Sequence, residues 1–108
     1  MSYDLKKSTS GKFMFNLKAA NHQVILTSQL YATKKSAEAG IASVQKHGVD
    51  EKFFELKTAT SGDPYFILKA SNGQTIGKSE MYKSTAAAKN GMASVQKNAP
   101  LTKIKDLA

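Results

Sequence analysis

The sequence predicts an α+β fold in which tandem β-β-β-α repeats form one mainly antiparallel sheet, with two helices on one face and exchanged or shared terminal strands. Shifting the 108-residue chain by 51 positions aligns its two halves without a gap. About 40% of the aligned positions are identical, far above chance, and self-similarity of this length indicates one supersecondary unit used twice. Within each half, apolar residues follow a period of two over short segments and a helical period over one longer segment. We therefore expect a single domain over residues 1–108, made of repeats 1–51 and 52–102 with a closing strand at 102–107.

The strands of each repeat are predicted from alternating apolar residues bounded by turn residues. The opening strand Tyr3–Lys6 recurs as Phe54–Lys57, and Thr-Ser-Gly follows both copies. The remaining strands are expected at 13–19 and 23–28 in the first repeat, and at 65–70 and 74–79 in the second. Asn72-Gly73 predicts a type I′ hairpin turn, and Asn21-His22 is a weaker version of it.

Each predicted helix follows a residue suited to the N-cap position, Thr33 in the first repeat and Ser84 in the second. An apolar stripe at i, i+4 and i+7 then faces the sheet. The helices are expected to end near His47 and Asn98. Gly40 and Gly91 lie beside this stripe, where glycine costs about 1 kcal/mol relative to alanine, so we expect each helix to approach the sheet closely there.

The last residues of the chain repeat the opening strand once more. At the same offset Asp106-Leu107 aligns with Glu55-Leu56. A strand that opens one repeat therefore also closes the preceding one, and Glu51–Lys57 is expected to link the halves as a shared or exchanged strand.

Composition excludes several classes of protein. The chain has no cysteine, which rules out disulfides, thiolate metal sites and a cysteine nucleophile. It contains no apolar run of about 18 residues and no signal-peptide core, so the expected location is the cytoplasm. The net charge is +8, but every basic residue is lysine and the lysines are dispersed. That pattern favours an ordinary solvated surface over specific nucleic-acid recognition.

No constellation of catalytic residues stands out. Nucleophile elbow, phosphate-binding loop, dinucleotide fingerprint and zinc motif are all missing from the sequence. His22 and His47 have no counterparts in the other half, and a structural role is expected for both. Asp4, Glu55 and Asp106 share one strand position, and we expect solvent-facing charges paired with lysines. The sequence thus predicts a non-enzymatic protein with no cofactor and no metal.

Tyr31 and Tyr82 recur just before each helix, three residues after Ser28 and Ser79. A tyrosine there can bury its ring between sheet and helix while its hydroxyl reaches backbone or solvent. These residues are expected to be structural.

The sheet face opposite the helices is the candidate surface for an unknown protein partner, because it mixes lysines with apolar and aromatic side chains. By strand alternation its candidate contact residues are Met14, Asn16, Lys18, Val24, Leu26, Tyr65, Ile67 and Lys69. The favoured function is a protein-interaction module using this face. The alternative is weak electrostatic binding of nucleic acid or another polyanion through the dispersed lysines. A monomer with pseudo-two-fold repeats is expected.

The block from Phe15 to Lys46 resembles the YegP-like family of small uncharacterised bacterial proteins. It carries Phe-x-Leu-Lys-Ala, Asn-x-Gln, Ser-x-x-Tyr and Gly-Ile-Ala-Ser-Val-Gln-Lys in that order. The second copy, 66–97, matches as well, with Met92 in place of the isoleucine. This resemblance implies tandem repeats joined in a single sheet with exchanged terminal strands. It implies no activity, because the family is a domain of unknown function.

Overall fold

A computed structural model describes residues 2–19, 23–100 and 103–108. Both halves contain the predicted elements in the predicted order. These are β1 (Ser2–Lys7), β2 (Phe13–Lys18), β3 (Val24–Ser28), α1 (Lys34–His47), a short 3₁₀ turn (Glu51–Phe53), β4 (Phe54–Thr58), β5 (Pro64–Lys69), β6 (Thr75–Lys78), α2 (Thr85–Asn98) and β7 (Ile104–Asp106).

The strands form one seven-stranded sheet in the order β4-β5-β6-β3-β2-β1-β7. The repeats meet at its centre, where β3 pairs antiparallel with β6 through Thr27 and Lys78. Every neighbouring pair is antiparallel except β1 and β7, which run parallel. The mainly antiparallel sheet is therefore confirmed.

Each helix is followed by a strand that lies in the other repeat's half of the sheet. After α1 the chain forms β4 at the outer edge of the second repeat, and after α2 it forms β7 beside β1. The amide of Tyr3 donates to Lys103 O at 3.0 Å, and the amide of Leu107 donates to Leu5 O at 2.7 Å. This is the predicted exchange of terminal strands. The linking strand begins only at Phe54, because residues 51–53 form the 3₁₀ turn.

Both helices begin after the predicted caps and pack on the same face of the sheet. Thr33 Oγ1 accepts a hydrogen bond from Ser36 N, and Ser84 Oγ accepts one from Ala87 N. The core between helices and sheet contains fully buried residues of both repeats. These include Phe15, Leu17, Ile41, Val44, Phe66, Leu68 and Val95.

The hairpin between β5 and β6 differs from the predicted type I′ turn. Gly73 N donates to Ala70 O at 2.9 Å and Ala70 N donates to Gln74 O at 2.8 Å, so the loop has three residues. Only its last residue, Gly73, needs a left-handed conformation, with φ of 85°. The Asn-Gly sequence is compatible with a type I turn followed by a left-handed glycine as well as with a two-residue type I′ turn. The corresponding tip in the first repeat, Asn21-His22, lies outside the described residues.

A β-bulge in the third strand of each repeat changes which residues face the helices. Leu17 pairs with Leu26, but the next residue, Lys18, pairs with Val24, so Ile25 is an extra residue. The same shift occurs in β6, at the position equivalent to Ile25. Because a bulge interrupts strict alternation, Leu26 points to the helix side and is completely buried. The placement of Leu26 on the opposite face was therefore wrong.

Candidate partner-binding face

The open face, meaning the sheet face opposite α1 and α2, has a central row with one residue from each strand. Three members of this row are nearly covered: Asp4, Asn16 and Ile67 expose 4%, 6% and 7% of their surfaces. Their neighbours on adjacent strands shield them, so these three residues offer a partner little direct contact. In strand order the row is Glu55, Ile67, Lys78, Thr27, Asn16, Asp4 and Lys105.

The more accessible candidate residues flank the central row. Following the pairing across the sheet, Tyr65, Val24 and Lys18 lie along one flank, while Met14 and Lys69 lie along the other. All five are half-buried. Strand β6 lies between β5 and β3 and neighbouring strands lie about 4.8 Å apart, so Tyr65 on β5 and Val24 on β3 are separated by at least about 10 Å. We call the row of Tyr65, Val24 and Lys18 the Tyr65 flank.

Two open-face residues were missed by strict alternation. Thr27 and Lys78 come after the bulges and occupy the central row directly opposite each other. Lys78 Nζ lies 5.0 Å from the centroid of the Tyr65 ring, in a cation–π contact. The sequence does contain a sign of this arrangement: both repeats have a polar residue, Thr27 or Lys78, at a position that alternation assigns to the core.

Positive charge dominates the open face. Its two carboxylates are paired: Lys18 Nζ lies 2.9 Å from Asp4 Oδ2, and Lys69 Nζ lies 2.7 Å from Glu55 Oε2. Lys57 adds a longer contact of 3.9 Å to Glu55. The strand pairing places six lysines on this face, so unneutralised positive charge remains. They are Lys6, Lys18, Lys57, Lys69, Lys78 and Lys105.

The three strand carboxylates pair with lysines as predicted, but not all of them face solvent as predicted. Glu55 is exposed, and so is Asp106, which forms an ion pair with Lys34. Asp4 is buried instead, and Ser2 Oγ donates to its carboxylate at 2.7 Å. Among the described residues, no group of three or more histidine, aspartate or glutamate side chains could hold a metal ion.

The environment of Asp4 favours its ionised form. Burial by itself would raise the pKa of this carboxyl group, but the hydrogen bonds from Lys18 and Ser2 and the charges of Lys18 and Lys105 outweigh burial and lower the pKa. At Glu55 the hydrogen bond from Lys69 is the main cause of a lowered pKa. Both carboxylates therefore remain charged at neutral pH.

We expect Asp4 to make the stability of the fold sensitive to acid. Its folded-state pKa lies below the unfolded value of about 3.9, so its contribution is complete above that value and is lost as pH falls through the folded pKa. In urea unfolding, Asp4→Asn should lower the free energy of unfolding at pH 7 by about 1.5 kcal/mol, the lower end of what a hydrogen bond to a charged group contributes.

The difference between the wild type and Asp4→Asn should shrink as the pH falls from about 5 to below 3. Glu38→Gln, on the exposed side of α1, serves as the control and should show no such convergence. A gap between wild type and Asp4→Asn that stays constant from pH 7 to pH 3 would contradict the role assigned to the carboxylate.

A groove on the helix side has a different chemistry. This cavity of about 540 Å³ lies between α1 and the β5–β6 hairpin. The described residues that line it offer hydroxyls, amides and apolar groups, and include Tyr31, Ser43, Gln74 and Ile76. Burial raises the pKa of Tyr31, so its hydroxyl remains protonated. The ring stacks on Phe15 with 6.3 Å between centroids, as the predicted structural role requires.

His47 is a buried, hydrogen-bonded residue at the end of α1. Its Nδ1 lies 2.9 Å from Ser43 O, and its Nε2 lies 3.4 Å from Ser71 N. With Nε2 accepting from the Ser71 amide, the ring hydrogen is on Nδ1 and is donated to the Ser43 carbonyl. Phe53 packs edge-on against the ring at 4.7 Å. The ring thus joins α1 to the second repeat, while His22 lies outside the described residues.

The fold and the open face define a class of small proteins built from two α+β repeats with exchanged terminal strands. A family model described as "Domain of unknown function (DUF1508)" matches the chain twice, at residues 8–55 and 59–106. The chain belongs to this family, and the resemblance found in the sequence is confirmed. Each match ends in the strand that follows a helix, β4 or β7.

Relatives and solved structures agree with this assignment. The chain is 62% identical to a UPF0339 protein of Mannheimia succiniciproducens, covering 97% of this chain and 93% of the relative. It is 56% identical to the UPF0339 protein YegP of Yersinia pestis, covering 97% and 94%. The solution NMR structure of the protein of unknown function YegP from E. coli matches with a TM-score of 0.92 at 47% identity, covering 97% and 90%.

The solution NMR structure of a UPF0339 protein from Shewanella oneidensis matches equally well. Its TM-score is 0.91 at 50% identity, covering 97% of this chain and 89% of that one. The predicted fold class is thereby confirmed. In the part of the chain that the structure describes, no helix is long and apolar enough to cross a membrane.

Proposed function

We propose that this chain is a non-enzymatic protein-interaction module that acts as a single domain over residues 1–108 in the cytoplasm. Its binding surface is the open face, and the Tyr65 flank provides the main contacts. The observation that supports this most is the half-buried aromatic ring of Tyr65 on the same flank as Val24, on a face with excess lysine. Aromatic residues surrounded by polar groups are typical of interface centres.

The charge of the open face indicates the chemistry of the partner. Six lysines and two paired carboxylates attract an acidic surface and accelerate its association. The apolar part of Tyr65 and Val24 would then pack against an apolar side chain of the partner. We therefore propose an acidic protein surface with an apolar centre as the ligand.

The chemistry of the helix-side groove supports a non-enzymatic function. A catalytic tyrosine acting as a base needs a pKa shifted down toward neutrality, but burial shifts the pKa of Tyr31 up. Both nitrogens of His47, the described histidine, are engaged in structural contacts.

A second candidate function is electrostatic binding of single-stranded nucleic acid or another polyanion. The same lysine excess supports it, and Tyr65 could stack on a base. Lys78 already lies over the Tyr65 ring, which limits the ring surface free for stacking. Arginine is absent from the chain, so two-point recognition of phosphate or guanine by its guanidinium group is not available.

The test compares capture of partners from the native cell by wild type, Tyr65→Ala and Met14→Ala, followed by mass spectrometry and sequencing of retained nucleic acid. Met14 occupies the position equivalent to Tyr65 in the other repeat, which makes Met14→Ala the matched control. For the partner retained by the wild type, Tyr65→Ala should weaken affinity by about 30-fold, the effect typical of an aromatic hot spot. Equal affinity for wild type and Tyr65→Ala would refute the placement of the binding contacts at the Tyr65 flank.

Salt titration separates the two candidate functions. Polyanion binding should weaken by about one power of the salt concentration for each phosphate contacted. For an acidic protein docked on the Tyr65 flank, salt should slow association by screening the lysines, but dissociation should change much less because the apolar contacts are not screened.

A further inference from the structure

The exchange of terminal strands leaves one strand position empty. Three segments of the opening type occur at intervals of 51 residues, and they form β1, β4 and β7. The first repeat uses two of them side by side, since β1 pairs with β2 and β7 pairs with the outer edge of β1. In the second repeat the equivalent strand is β4, which pairs with β5. Within residues 2–19, 23–100 and 103–108, no strand pairs with the outer edge of β4.

Equivalent residues on β1 and β4 show what this difference exposes. Leu5, next to β7, exposes 1% of its surface, whereas its counterpart Leu56 exposes 39%. Asp4 exposes 4%, and the side chain of its counterpart Glu55 exposes 46%. The edge of β4 therefore exposes an apolar side chain and a carboxylate. The equivalent residues of β1 are covered by β7.

The backbone of β4 offers part of the same hydrogen-bonding pattern. On β1, the amide of Tyr3 and the carbonyl of Leu5 bond to the chain of β7. On β4, the amide equivalent to that of Tyr3 belongs to Phe54 and donates to Glu51 O within the 3₁₀ turn. The Leu56 carbonyl is equivalent to that of Leu5 and points away from β5. An added strand would therefore pair from Glu55 onward rather than from Phe54.

The pairing of β1 with β7 specifies which side chains would fit. Lys105 lies beside Asp4, so a lysine beside Glu55 would reproduce that opposite-charge pair. Asp106, beside Leu5, is held by Lys34 of α1. The residue of α2 equivalent to Lys34 is Thr85, which has no charge. In an added strand, we therefore expect an apolar residue to fit beside exposed Leu56 better than an acidic residue.

We propose that the outer edge of β4 binds an extended segment of a partner protein as an added parallel strand. The segment places a lysine beside Glu55 and an apolar residue beside Leu56. This is β-augmentation, in which main-chain hydrogen bonds supply affinity and alternate side chains supply specificity. The site is separate from the Tyr65 flank and does not depend on the function proposed for the open face.

The probe is the peptide KIKVLA, which copies residues 103–108 with the equivalent of Asp106 replaced by valine. It is titrated into the full ¹⁵N-labelled chain, and amide chemical shifts are followed by NMR. We expect saturable shifts concentrated in β4 and in the adjoining strand β5. The control peptide KIEVLA places a glutamate beside Glu55 and should bind at least about fivefold more weakly, because like charges directly opposite each other destabilise a pair.

Matched variants show whether the edge itself is the site. Leu56→Lys removes the apolar contact with the valine of the peptide and places a charged group there instead, so KIKVLA should no longer produce saturable shifts in β4. Leu107→Lys, at another exposed leucine that lies just after β7, should leave binding unchanged. If KIKVLA produces no shifts in β4, shifts β2 and β3 instead, or binds no better than KIEVLA, the proposal is wrong. Shifts in β4 that appear on concentrating the protein without peptide would mean that a second copy occupies the edge, which also overturns it.

Discussion

Gly40→Ala is expected to lower the free energy of unfolding by about 2 kcal/mol, although alanine normally stabilises a helix interior by about 1 kcal/mol relative to glycine. A Cβ at this position would lie 2.7 Å from Tyr31 Cζ, close to the Tyr31 hydroxyl, and 3.0 Å from Phe15 Cε2. The same crowding recurs at Gly91, against Tyr82 Cζ at 2.7 Å. Urea unfolding of Gly40→Ala and Gly91→Ala measures the loss directly.

A second substitution shows whether the crowding arises at the tyrosine. In the Gly40→Ala background, Tyr31→Phe removes the atom closest to the new methyl group and should restore part of the lost free energy of unfolding. In the wild-type background Tyr31→Phe should bring no such gain. A coupling of at least about 0.5 kcal/mol between the two changes is expected for groups in contact. An increase in stability for Gly40→Ala, as helix propensity alone predicts, would show that the helix lies farther from the sheet.

This close approach explains why the glycines could be interpreted from sequence. A glycine beside the apolar stripe of a predicted helix is costly unless another element occupies the space of its side chain. The Ser-x-x-Tyr segment before each helix supplies the occupant. Both repeats keep the pair, so the duplication itself shows that the glycine and the tyrosine belong together.

The β-bulges mark the limit of the sequence prediction for the candidate face. Alternation assigns Val24 and Leu26 to one face, but the extra residue Ile25 turns Leu26 into the core and brings Thr27 to the open face. A period of two cannot locate such an insertion when three consecutive residues are apolar. The position of Lys78 over Tyr65 follows from the same bulge in the second repeat and was missed for the same reason.

The exposure of the face could not be predicted from alternation either. Asn16 and Ile67 were expected to contact a partner, and both lie on the open face but are almost covered. A strand pattern determines which side of a sheet a residue faces. The covering of a central residue depends on the lengths and directions of neighbours on other strands, which are distant in sequence.

Deleting residues 103–108 is expected to destabilise the domain by about 4 kcal/mol, because β7 covers the edge of β1 where core residues lie. Leu5 would lose its cover, and full burial of a leucine contributes about 1.5–3 kcal/mol. The main-chain hydrogen bonds that join β1 to β7 would be lost as well, among them Tyr3 N to Lys103 O and Leu107 N to Leu5 O, each with a net contribution of about 1 kcal/mol. Tyr3 would remain tied to α2, because its hydroxyl donates to Ala99 O at 2.6 Å.

The control for the deletion is Asp106→Asn, which breaks the ion pair with Lys34 but keeps the strand. Because this pair is exposed, Asp106→Asn should have a much smaller effect than the deletion. The contribution of Asp4 to acid sensitivity should be smaller in the shortened chain than in the full chain, since loss of Lys105 removes one of the groups that lower the pKa of Asp4 and so brings that pKa closer to its unfolded value. Equal unfolding temperatures for shortened and full chains would mean that β1 needs no covering strand. The fold would then be stable with the outer edges of both β1 and β4 unpaired. The difference in exposure between Leu5 and Leu56 would then make no contribution to the free energy of unfolding.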